Sequence, residues 1–124
     1  MNYPLRSGIL DFLTGKTDAD ALANVLQQLI ENYPPDALAN CLNVLGTHDR
    51  ERLFTVLGGA PAQDELTDAE RAEYRLTDGQ ASLARSRLWL AALLQMTLPG
   101  VPCIYYGDEL GVQGYRDQIG RAHF

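Results

Sequence analysis

Leu5, Ile9, Phe12 and Leu13 recur at the three-to-four-residue interval of one helical face. Pro4 falls in the first turn, where its missing N–H costs nothing, and Gly15 supplies a stop. A second stripe, Leu22, Val25, Leu26, Leu29 and Ile30, predicts a helix with one buried face. It starts at Thr17-Asp18-Ala19-Asp20 and is ended by Tyr33-Pro34-Pro35. Then the period changes. Residues 38–45, LANCLNVL, form a short apolar run between Pro35-Asp36 and Gly46 and read as a buried strand, although such a leucine-rich run fits a helix as well. Residues 51–57 predict a short helix stopped by Gly58-Gly59. Residues 60–77 are polar and irregular, with one helical turn offered by the capping box Thr67-Asp68-Ala69-Glu70. A long helix follows over residues 80–97, carrying Leu83, Trp89, Leu90, Leu93 and Leu94. Leu98-Pro99-Gly100-Val101-Pro102 then turns the chain into a second strand, Cys103-Ile104-Tyr105-Tyr106, which ends at Gly107-Asp108-Glu109.

Two strands separated by helices cannot be a tight hairpin, so the pair is expected to be parallel. Parallel strands need cover on both faces, which accounts for the apolar runs. Two parallel strands alone keep two open edges and a small core, so the sequence reads as a piece of something larger. Residues 88–107 carry no charge and would catch the eye as a membrane span. Pro99, Gly100 and Pro102 cut that stretch, which is expected instead to be a buried helix feeding a buried strand.

At 124 residues the chain has room for one compact domain. Hydrophobic residues make up 46% and charged ones 21%, which argues against wholesale disorder. The net charge of −6 leaves no dense cationic face, so neither nucleic acid nor an anionic membrane is an expected partner. Cys41 and Cys103 sit in apolar runs and are expected to be buried free thiols, pointing to a reducing, cytoplasmic compartment. The two cysteines and two histidines lack the spacing of a zinc site. The N-terminus has no basic segment followed by an apolar one, so no signal peptide is read there.

In parallel α/β folds, ligands gather at the carboxyl ends of the strands. Both predicted strands end in acids, His48-Asp49 after the first and Asp108-Glu109 after the second. Brought together, they would place carboxylates and an imidazole in one cleft, the equipment for cleaving a glycosidic bond. Spacing alone leaves a plainer alternative open. Asp49 could cap the helix that follows, and Asp108-Glu109 could cap or pair with Arg116 or Arg121.

The residues themselves carry a resemblance. Residues 43–52, NVLGTHDRER, resemble the strand-seven motif of the alpha-amylase family of glycoside hydrolases. Residues 98–111, LPGVPCIYYGDELG, resemble its strand-eight segment and loop, and the opening MNYPL is similar to the end of strand six in neopullulanase-like and cyclomaltodextrinase-like members. The resemblance implies a helix-rich α/β chain, residues 1–124 being a partial (β/α)8 TIM barrel from the end of strand six to the loop after strand eight. A full barrel needs about 250 residues. It implies that Asp49 is the family's transition-state-stabilising acid and that His48 binds the same sugar ring. Asp117 and Arg121 match an Asp-x-x-x-Arg pair that contacts the donor side of the glucan. Asp108-Glu109 would support the loop rather than form a dyad with Asp49.

The family's nucleophile and proton donor lie on strands four and five, which would precede Met1, and no segment here resembles either. The chain is therefore expected to be inactive alone. The resemblance implies an α-glucan substrate for the parent and no cofactor in this segment, with calcium left to segments upstream. Thr47 stands where Asn or Ser is usual and Arg50 where Thr is usual, and residues 118–124 are less typical of the family. The competing reading is a non-catalytic α/β interaction module. Under either reading, uncovered barrel edges predict self-association.

Overall fold

Asn2 starts the chain's first helix by accepting a hydrogen bond from the Leu5 amide on its side-chain oxygen, at 3.2 Å. A computed structural model describes residues 1–116. They fall into two compact units, residues 1–45 with 90–103, and residues 46–89 with 104 onward.

The first unit opens with α1 (Tyr3–Leu13) and α2 (Ala19–Asn32), capped by Asp18, whose carboxylate accepts from the Ala21 amide at 2.9 Å. α3 (Pro35–Ala39) leads into β1 (Leu42–Val44). The second half of α6 (Asp78–Thr97) then delivers the chain to β2 (Val101–Cys103). β1 and β2 pair in parallel, with Leu42 opposite Val101, Asn43 opposite Pro102 and Val44 opposite Cys103. Leu5, Ile9, Leu22, Leu29, Leu38, Val44 and Leu45 fill the core between helices and sheet. Gly8 faces Leu22 and Val25 of α2, and a Cβ there would meet them at ordinary contact distance.

Polar side chains tie this core to the sheet. The Arg6 Nε donates to the Leu45 carbonyl at 2.7 Å. Gln95 Nε2 donates to both strands, to Asn43 O at 2.8 Å and Cys103 O at 2.9 Å. Asn43 Nδ2 donates to Pro99 O at 2.9 Å, fixing the turn before β2.

The second unit contains α4 (Leu53–Leu57), a 3₁₀ turn (Gln63–Glu65), α5 (Asp68–Glu73), the first half of α6 and a second 3₁₀ turn (Asp108–Leu110). Its core is Leu53, Phe54, Leu57, Ala84, Val112 and Tyr115. The Thr67–Glu70 capping box forms in both directions.

Five expectations are corrected. The run at residues 38–45 is not one strand. Pro35 occupies the first turn of α3, so Leu38 is buried from a helix and β1 begins only at Leu42. β2 lies earlier than residues 103–106 and includes Pro102, which is tolerated because every strand of a two-stranded sheet is an edge. Ile30 is exposed on α2 rather than part of its core stripe. The long helix and its strand are only partly buried, through Ala84, Ala91 and Gln95 on the helix. Leu90, Leu93 and Met96 in the first unit and Leu83 and Trp89 in the second are exposed, as are Val101 and Ile104, because no described element covers them. Cys41 and Cys103 are free as expected, but only half-buried. No helix among the described residues is long and apolar enough to cross a membrane.

Candidate functional site

Arg52 anchors the segment that follows β1. It is the N-cap residue of α4, and its backbone N–H donates to Gly114 O at 2.9 Å. Its side chain is buried, donates from Nη1 to Tyr106 O at 2.6 Å, and lies over the rings of Tyr105 and Tyr106 at 4.8 and 4.4 Å from their centroids. Such stacking of a desolvated guanidinium adds attraction to the hydrogen bond. The Gly114 N–H donates in turn to Thr55 Oγ1 at 2.9 Å. Burial, with Tyr106 beside it, pushes the Tyr105 phenol above its ordinary value. Sequence reasoning missed Arg52. It stands as the last residue of the motif at residues 43–52, directly ahead of the apolar run Leu53-Phe54, a position that an ordinary surface arginine could also take.

On that base, His48 and Asp49 project outward. His48 Nε2 lies 3.2 Å from Asp49 Oδ1, and the side chains are 64% and 60% exposed. Asp49 does not cap α4, because that position belongs to Arg52. It instead lines an open cleft of about 290 Å³, together with, among the described residues, Arg50, Glu51, Gln63, Asp64 and Arg116. This is near the lower end of the roughly 300–1,000 Å³ of small-molecule sites.

Asp108 and Glu109 do not line that cleft. Asp108 is buried against Gly46, and Glu109 is exposed on its 3₁₀ turn. The carboxylate dyad that spacing alone left open therefore has no support in this cleft. Asp117 and Arg121 lie outside the described residues. No group of three or more His, Cys, Asp or Glu side chains is placed to hold a metal ion among the described residues. Chemically, an exposed carboxylate beside an imidazole can accept hydrogen bonds from hydroxyls and stabilise positive charge developing nearby.

Residues 1–123 match the family described as "Alpha amylase, catalytic domain". The chain belongs to the alpha-amylase family. This alpha-amylase-family chain is 38% identical over 135 aligned positions to the amylopullulanase of Thermoanaerobacter thermohydrosulfuricus, covering all of the chain and 8% of that protein. It is 34% identical over 118 positions to the cyclomaltodextrinase of Geobacillus thermopakistaniensis and to neopullulanase 2 of Thermoactinomyces vulgaris, covering 94% of the chain and 16% of each relative. The chain thus spans less than a fifth of the length of these relatives. Family membership agrees with the motif resemblance, and a helix-rich α/β chain with two parallel strands is consistent with part of the alpha-amylase barrel.

Proposed function

We propose that this chain is the part of a retaining glycoside hydrolase, acting on α-glucans, that runs from the end of barrel strand six to the loop after strand eight. One observation carries the reading. The motif residue Asp49, paired with His48, lines a cleft rich in charged side chains, in a chain matched along its length to the alpha-amylase catalytic domain. Relatives named amylopullulanase, cyclomaltodextrinase and neopullulanase support the substrate class.

In this reading Asp49 accepts hydrogen bonds from sugar hydroxyls and stabilises the oxocarbenium-like transition state. A carboxylate about 4 Å from a developing positive charge, at an effective dielectric near 20, attracts it by about 4 kcal/mol. That is roughly a thousandfold in rate. His48 holds the same ring through an imidazole N–H, and Asp117 with Arg121 contacts the donor side of the glucan. The nucleophile and the proton donor are supplied by other segments of the barrel, as is any calcium site. Free thiols at Cys41 and Cys103 favour a cytoplasmic setting.

Two consequences are open to test. The chain alone is inactive, so reducing-sugar release from starch, pullulan and β-cyclodextrin is expected to be nil for a folded sample, with or without Asp49→Asn. Release that disappears in Asp49→Asn would overturn the fragment reading. The chain also self-associates through its uncovered apolar side chains, Leu90, Leu93 and Met96 among them. A sedimentation-velocity profile containing only monomer would overturn that part.

A further inference from the structure

The cleft beside Asp49 is built from more than the strand-end motif. Asp49, Arg50 and Glu51 come from the segment after β1, Gln63 and Asp64 from the 3₁₀ turn after α4, and Arg116 from the last of the described residues. We propose that Gln63 and Asp64 form a sugar-hydroxyl subsite adjoining Asp49, so that residues 60–66 help decide which glucan is accepted. The inference rests on the α-glucan reading above and adds to it a segment outside the strand-end motifs.

The first support is that this segment is fixed to the rest of its unit. The Tyr115 hydroxyl donates to Pro61 O at 2.9 Å, and the Arg116 backbone N–H donates to Gln63 Oε1 at 3.1 Å. Tyr115 is itself buried, so the tether is anchored in the core. The second support is orientation. A backbone N–H requires an acceptor, so the Gln63 oxygen is the atom engaged by Arg116 and the amide nitrogen is left to donate. The residue is only half-buried.

The third support is the chemistry of the lining. Among the described residues, three carboxylates, two guanidinium groups and one carboxamide line the space, and the stems that carry them add nearly as much apolar surface. An anion would meet Asp49, Glu51 and Asp64, and a cation would meet Arg50 and Arg116. A neutral polyol suits the mixture, because each hydroxyl both donates and accepts and neighbouring hydroxyls can bridge carboxylate and donor. Sites that bind through hydrogen bonds discriminate strongly against a ligand lacking the matching hydroxyl, which is how such a subsite would set specificity.

The test is a titration of the ¹⁵N-labelled full chain with maltotriose, followed by amide chemical shifts. The signals of Asp49, Glu51, Gln63, Asp64 and the Gln63 side-chain amide are expected to move along one saturation curve. Gln63→Glu keeps an oxygen for the Arg116 N–H while removing the donor, and Asp64→Asn keeps shape while removing charge. Each is expected to weaken binding roughly fivefold, the scale of one hydrogen bond. An unmoved Arg116 amide in the sugar-free variants shows that the tether is intact. Shifts at His48 and Asp49, with Gln63 and Asp64 unmoved and both variants binding normally, would overturn the subsite and leave the α-glucan reading standing. Shifts at Gln63 and Asp64 with His48 and Asp49 silent would count against Asp49 and support the subsite. Maltotriose moving none of these signals would overturn both.

Discussion

The buried carboxylate of Asp108 lies so close to the α-carbon of Gly46 that any side chain at residue 46 would occupy the same space. Gly46 is thus packed directly against Asp108, the residue that follows Gly107, and the backbone carrying Thr47, His48 and Asp49 starts from that contact. Gly46→Ala is expected to push the Asp108 carboxylate aside and cost about 1–3 kcal/mol, the range for overpacking a filled interior. Urea denaturation would show a lowered midpoint with an unchanged slope.

Gly100 makes a harder demand. Its φ of +123° is a region that side chains avoid, and a Cβ there would stand 2.7 Å from Cys41 O. Cys41 O also accepts the Val101 N–H at 2.9 Å, the bond that starts the ladder between the strands. Gly100→Ala therefore strains the backbone and displaces the first rung together. A loss of about 2–4 kcal/mol is expected, above that of an ordinary surface substitution. Amide exchange at Val101 would report it directly.

Tyr115 gives an alkaline limit. Burial pushes its phenol up to about 12, while the unfolded chain titrates near the ordinary value of about 10. The neutral phenol is the folded form, donating to Pro61 O. Its contribution is complete below about pH 10 and is lost as pH rises towards 12. Tyr105, raised in the same direction, adds to the loss. Stability measured between pH 9 and pH 12 is expected to fall less steeply in Tyr115→Phe than in the unaltered chain.

At the acid end the relevant group is Glu70. Hydrogen bonds from the Thr67 backbone, first, and from its hydroxyl hold the Glu70 carboxyl below its ordinary value. The capping contribution is present in full above the ordinary carboxylate value and disappears as pH falls through the lowered one. Thr67→Ala is expected to raise the Glu70 value and to fray α5. A carboxyl-carbon titration by NMR reads the first effect, and amide exchange over Asp68–Glu73 the second.

The proposed role of Asp49 requires the rest of a barrel. Co-expression of this chain with the complementary part of neopullulanase 2 is expected to restore hydrolysis of pullulan. Asp49→Asn should then lower kcat by roughly 10²–10³-fold, the scale of losing one electrostatic contact to a transition state. Restored activity that is indifferent to Asp49→Asn would remove it from the reaction.

The helical stripes of α1 and α2 were legible in the sequence because each carries its own apolar face and stop signal, and the Thr67-x-x-Glu70 box declared α5 in the same local way. The strands were harder. Leucine fits both periods, so Leu38 was read into β1 when the proline ahead of it opens a helical turn. Pro102 argued against a strand by its missing N–H, yet the edge of a two-stranded sheet accepts it. Gln95 was a signal passed over. A lone amide in an uncharged run has to satisfy its hydrogen bonds somewhere, and here it links the two strands. At the site, His48 and Asp49 were legible as neighbours in a motif. Gln63, Asp64 and Arg116 were not, since only the path of the intervening chain brings them to the same cleft.

Trp89 is the chain's single tryptophan and is 80% exposed. Its indole therefore emits as a solvated fluorophore, and the whole intrinsic tryptophan signal comes from one known point on α6. Anything that settles over that point, a second copy or the rest of a barrel, will shift the emission to the blue and shield it from a soluble quencher. The chain carries its own optical gauge of assembly, readable without a label.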